Sequence, residues 1–122
     1  MYVSSEGGSG IRRITPSGTV TTYANLAIQT TQEGIDFDSK GNLLVAALAG
    51  DLFKVAPPAA EGELGAVTLF ADTSISAVGV AVDADDNVFV SNNSSGFFRF
   101  DAAAVGTTFW SGTYQVQAPG IR

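Results

Sequence analysis

Short runs of four to six residues succeed one another along this chain, apolar and polar positions alternating within them or apolar residues crowding together. The period is two, which belongs to β-strands, and no 3.6-residue apolar spacing lasts long enough to predict a helix. The runs also recur. "GIDFDSKGNLLVA" begins at Gly34, and "GVAVDADDNVFVS" begins at Gly79, forty-five residues later. The two agree at Gly34/Gly79, Asp38/Asp83, Asn42/Asn87 and Val45/Val90, and most other positions exchange like for like.

The repeat extends beyond those two segments. "MYVSS", "LLVAA" and "VFVSN" superpose on Val3, Val45 and Val90. The strands that follow, "IRRIT", "LFKVA" and "FFRFD", bring Arg13, Lys54 and Arg99 to one position. "TTYAN", "TLFAD" and "TFWSG" then align Tyr23, Phe70 and Trp110, before a loop and a glycine (Gly34, Gly79, Gly120) open the next unit. Each unit predicts four short strands separated by "DSKGN", "DADDN", "TPSGT" or "NNSSG". Asp and Gly suit such turns, because Asp caps its own backbone and Gly accepts positive φ. "PPAAEGELG" reads as a long surface loop between the third and fourth strands of the middle unit.

Four short strands recurring every forty to forty-five residues predict an all-β chain, a β-propeller segment of about three four-stranded blades. The units run over 1–25, lacking a first strand, 34–72 and 79–112, with 113–122 a loop and the stub of a further blade. Propellers close with about four to eight blades, so one copy forms an incomplete ring. Two origins fit: a piece of a longer propeller whose other blades are missing, or self-association, in which a homodimer completes a six-bladed ring. Unpaired edges favour association in either case. The apolar set Ile35, Phe37, Leu43, Val45, Val55, Leu69, Val80, Val82, Val88 and Val90 is the expected core between stacked sheets.

The motifs "GIDFDSKGNLLVA", "GDLFKVAP", "VTLFAD" and "ITPSGTVTTYA" resemble blades of the NHL-repeat and SMP-30 (gluconolactonase)-like propellers, and the resemblance covers Tyr2 to Gly120. It implies that the first strand of each blade lines a central channel, with ligands at its mouth. In SMP-30-like enzymes the metal is held partly by a Glu before the Gly that opens a blade. Glu33, in "QEGIDF", matches that position, while Val78 and Pro119 stand at the equivalent places. The Asn and Asp ligands of that family have no counterpart here. A streptogramin-lyase-like activity is expected to need a histidine, which this chain lacks.

Composition narrows the chemistry. There are no cysteines and no histidines, so the chain alone can build no disulfide, thiolate site, imidazole base or Ser-His-Asp triad. Six Lys and Arg against twelve Asp and Glu give a net charge of −6, which argues against nucleic acid and an anionic membrane surface. No apolar run is long enough to span a bilayer as a helix.

Other candidate features have structural readings. "DADDN" (Asp83, Asp85, Asp86, Asn87) has the look of half a calcium loop, but Lys40 in the equivalent "DSKGN" favours a hairpin turn. Arg13, Lys54 and Arg99 could ring a ligand, or be solvent-side residues alternating with buried Ile14, Val55 and Phe100. Tyr23, Phe70 and Trp110 read as packing between blades rather than a sugar platform. Asn92 to Ser95 fit an N-x-Ser acceptor pattern that is common by chance.

The expected function is therefore a non-catalytic binding or structural propeller module, taking a protein or small ligand at blade loops or channel mouth, without a cofactor. The alternative is a metal-dependent SMP-30-like lactonase or hydrolase, active only as an assembled ring, with Ca²⁺ or another divalent ion near Glu33.

Overall fold

The computed structural model describes residues 1–4, 8, 10–26, 31–73, 76–92 and 96–110, the last three by backbone and pairing alone. These residues are all-β, with no helix among them. Three antiparallel sheets follow in chain order. The first contains β1 (Tyr2–Val3), β2 (Gly10–Ile14) and β3 (Val20–Asn25). The second contains β4 (Gln32–Phe37), β5 (Leu43–Ala47), β6 (Asp51–Val55) and β7 (Val67–Asp72). The third contains β8 (Ala77–Val82), β9 (Val88–Asn92), β10 (Phe97–Phe100) and β11 (Gly106–Trp110). Each is a meander in which neighbouring strands pair in sequence order, as in successive blades of an incomplete propeller.

The repeat is also a repeat of register. Arg13, Lys54 and Arg99 stand opposite Tyr2, Leu44 and Phe89 on one side, and Thr21, Thr68 and Thr107 on the other. The pairing shifts between Ile11 and Arg12, Leu52 and Phe53, and Phe97 and Phe98, the same place in each sheet. First and second strands shift likewise between Gln32 and Ile35 and between Ala77 and Gly79. A bulge bends a strand and increases its twist, so bulges recurring in place give the sheets a common shape to stack.

This register corrects one alignment. Trp110 pairs with Phe97, as Ala24 pairs with Ile11 and Ala71 with Leu52. Phe109, not Trp110, is therefore the counterpart of Tyr23 and Phe70. The slip matters, because a shift of one residue reverses the face a side chain occupies.

Stacking uses both faces of the middle sheet. All five residues of β5 are buried, because Leu43 and Val45 face the first sheet while Leu44 and Ala46 face the third. A strand covered on both faces reads as a continuous apolar run, which "LLVAA" is. One core joins Leu43, Val45 and Val55 to Ile11, Tyr23, Ala24 and Leu26. The other joins Leu44, Ala46 and Leu52 to Val80, Val88, Val90 and Phe100. Two residues expected in the core lie elsewhere. Leu69 is 59% exposed on the outermost strand of its sheet, and Phe37 is exposed at the end of β4, packing edge-on against Tyr2 at 5.0 Å between centroids.

The glycine that opens the second unit, Gly34, now has a physical reason. A Cβ on Gly34 would lie 2.6 Å from the Val80 nitrogen and 2.9 Å from the Gly79 Cα. The first strands of the second and third sheets meet backbone to backbone there, a contact that a side chain would prevent.

Candidate functional site

Turns at one end of the sheets share a construction. In the second sheet, Asp38 Oδ1 accepts from the backbone N–H groups of Lys40 and Asn42, and Asn42 Nδ2 donates to Asp38 Oδ2. In the third, Asp83 accepts in the same way from Asp85, Asn87 and the Asn87 amide. Asp101 repeats the backbone part with Ala103 and Val105, and Thr15 uses its hydroxyl to accept from Thr19. The fourth residue of each turn has a left-handed backbone: Gly18, Gly41, Asp86 and Ala104. Glycine meets that requirement at no steric cost.

These bonds decide the electrostatics. Asp38 is partly desolvated, which alone would raise its pKa. The Asn42 side chain, the Asn42 and Lys40 N–H groups and nearby Lys54 outweigh burial and hold it below the usual carboxylate value. Asp83 is lowered chiefly by the Asn87 side chain, against a desolvation cost, with the Asn87 and Asp85 N–H groups and Arg99 helping. Asp86 is lowered by Ser39 of the neighbouring sheet, which donates its hydroxyl and its N–H, each at 2.7 Å. Two acids of "DADDN", Asp83 and Asp86, are thus engaged as a turn acceptor and an inter-sheet acceptor.

Two of the recurring cations, Lys54 and Arg99, also have defined partners, which the alternation of strand residues did not reveal. Lys54 Nζ lies 3.5 Å from Asp38 Oδ2 and 5.1 Å from the centre of the Phe70 ring. Arg99 Nη2 donates to Asn87 Oδ1 at 2.7 Å. Both are half-buried and bridge the third strand of a sheet to the turn between its first two. The spacing from Asp to cation is the same in the two sheets, Asp38 to Lys54 and Asp83 to Arg99, and was the signal available in the sequence. Asp36 was missed as well. It accepts from the Val82 N–H at 2.8 Å and ties the first strands of the second and third sheets together.

The crevice between sheets at this end occurs twice, in different sizes. Between the second and third sheets it is nearly closed, with about 20 Å³ left among Asp38, Lys54, Phe70 and Asp86. Between the first and second it is an open groove of about 640 Å³. Tyr2, Arg13 and Tyr23, the counterparts of Leu44, Lys54 and Phe70, form one wall. Phe37, Gly41 and the loop from Pro57 to Glu63 form the other. Two differences account for the size. No turn of the Asp38 kind covers Arg13 among the described residues, and the middle sheet's loop is longer than its counterpart at Asp101–Val105. Gly65 anchors that loop by donating its N–H to the Tyr23 carbonyl at 2.7 Å.

The ring of Tyr2 stands edge-on to both Tyr23 (4.8 Å, 76°) and Phe37 (5.0 Å, 70°), giving the groove an aromatic floor. Burial raises the Tyr23 hydroxyl pKa, Tyr2 adds to the effect, and Arg13 opposes it. Arg13 is exposed and makes no ion pair among the described residues.

Glu33 lies elsewhere. It sits near the start of β4, exposed, within the shift of register between Gln32 and Ile35, and its backbone carbonyl accepts from Ser4. The groove lies beyond the other end of that strand. No group of three His, Cys, Asp or Glu among the described residues is placed to hold a metal ion. Calcium takes about six to eight oxygens, and one exposed carboxylate does not fit that demand. Asn92 is buried and its side-chain oxygen accepts from the Gly96 N–H, so the first N-x-Ser pattern is not presented for modification. Residues 93–95 and 111–122, including the stub at Gly120 and the position of Pro119, lie outside the described residues.

No family model matches the chain, and no curated protein matches it significantly.

Proposed function

We propose that this chain is a non-catalytic binding and structural module of the NHL-repeat and SMP-30-like propeller kind, one that works with its first sheet covered by a further sheet. The observation that carries this reading is a contrast between equivalent residues. Val45 and Val90 are 0% exposed, while Val3 at the same position is 39% exposed. Met1, opposite Ile14 as Leu43 is opposite Val55, and Val20, the counterpart of Val67, are 73% and 59% exposed. The face that buries each later sheet against its predecessor is bare on the first, and each such side chain gains about 1.5–3 kcal/mol when fully covered.

In the isolated chain the covering sheet comes from a second copy. Light scattering on the folded protein is expected to give a dimer or larger mass, reduced to the monomer mass by Val3→Glu with Val20→Glu. A monodisperse monomer at all concentrations contradicts the association. The binding role belongs to the loops at the end of the sheets where the groove opens.

A further inference from the structure

We infer that the turn end of the junction between the second and third sheets is a clasp released by acid, whereas the junction between the first and second sheets holds. The inference stands apart from the binding role and the association proposed above.

It follows from what accepts the hydrogen bonds at each junction. Between the first and second sheets, three bonds end on backbone carbonyls. The Ser4 hydroxyl donates to the carbonyl of Glu33, the Gln32 amide to that of Gly8, and the Gly65 N–H to that of Tyr23. Between the second and third sheets, three bonds end on side-chain carboxylates. Ser39 gives its N–H and its hydroxyl to Asp86, each at 2.7 Å, and Val82 gives its N–H to Asp36 at 2.8 Å. The other Asp36 oxygen accepts from the N–H of Phe37, so one carboxylate joins the last residues of β4 and β8. A backbone carbonyl does not titrate. A carboxylate that takes up a proton loses its charge and part of its accepting capacity, and bonds to a charged acceptor are about twice as strong as neutral ones.

The surroundings locate the release. The Ser39 hydroxyl and N–H hold the Asp86 carboxyl below its ordinary value of 3.8, against desolvation and the charge of Asp38 and with help from Lys40. The Asp86 tie is therefore complete above that value and is lost as pH falls through the lower native one. Asp38, Lys40 and Lys54 line the crevice with Asp86, and Asp83 and Asp85 share its turn. β5 and β8, which lie beside β4, carry no titratable side chain, and Glu33 is the other acid of β4. The core between the two sheets, with Leu44, Val80, Val88 and Phe100, is apolar and does not titrate. Release is thus confined to the turn end, where the crevice of about 20 Å³ widens.

Amide hydrogen exchange on the whole ¹⁵N-labelled chain, corrected for the intrinsic rate at each pH, tests this from about pH 6 to about pH 2.5. Protection at Ser39 and Val82 is expected to fall about tenfold or more, while Gly65 changes by less than about threefold. The Asp36→Asn, Asp86→Asn double variant keeps the shape but cannot titrate at either place. Its Ser39 and Val82 amides are expected to exchange fast at pH 6 and to change little with pH, although Asp38 and Asp83 still titrate. Protection at Ser39 and Val82 that persists in acid overturns the proposal. So does an equal loss at Gly65, which means that the whole chain unfolds, or an acid response retained in the double variant. If that variant does not fold, the contrast between Gly65 and the other two amides in the unaltered chain decides.

Discussion

Asp86 and Ala104 hold left-handed backbone, at φ 60° and 64°, where equivalent turns use glycine. A residue with a Cβ pays about 1–2 kcal/mol for that conformation. Asp86 offsets the cost with two hydrogen bonds from Ser39, whereas Ala104 has no side-chain atom that could do so. Glycine at the two positions should act in opposite directions. Ala104→Gly is expected to add about 0.5–1 kcal/mol of stability after glycine's entropy loss, and so to raise the melting temperature. Asp86→Gly should lower it, and Ser39→Ala should reproduce much of the loss. Thermal unfolding of the three variants checks this, and two shifts of the same sign would refute it. Gly34→Ala brings a Cβ against the backbone of Val80 and Gly79, and is expected to cost at least about 1–3 kcal/mol in denaturant unfolding.

At the scale of the element, the turn after the first strand is a titrating unit. Asp38 and Asp83 are both held below their ordinary value of 3.8. A carboxyl with a depressed native pKa contributes stability that is complete above its unfolded value and lost as pH falls through the native one. Melting temperature should therefore be level near neutrality and decline below about pH 4. Asp83→Asn should be less stable at pH 7 and show a shallower acid decline, and an unchanged acid limb in that variant would contradict the account. The same turns show how far the sequence could be read. Strands, turns and the threefold repeat were legible, because a period of two and Asp/Gly punctuation are local signals. Trp110 was placed one residue out of register, because a bulge leaves no local mark on composition. Leu69 and Phe37 were expected in the core on apolarity alone, yet their exposure depends on which strand is outermost and where a neighbouring sheet ends. The groove was not legible, since it arises from a longer loop on one sheet facing an uncovered cation on another.

At the scale of the whole molecule, three sheets bury what none could bury alone. The middle sheet is covered on both faces, and the first leaves Met1, Val3 and Val20 in solvent. Two contacts fix the spacing of the second and third sheets: the bare backbone approach at Gly34, and the Asp36 carboxylate receiving the Val82 N–H. Asp36→Ala is expected to loosen that junction by about 1–3 kcal/mol, since it leaves a half-buried N–H without its charged acceptor, and faster hydrogen exchange at Val82 should report it.

The stacking of repeated sheets is tested most directly by nuclear Overhauser contacts across that junction. Cross-peaks are predicted between the Gly34 α-protons and the amide and α-protons of Gly79 and Val80, together with contacts from Leu44 to Val88. Their absence, with Gly34 and Gly79 instead reporting dissimilar neighbours or opposite strands of one continuous sandwich, would contradict the account.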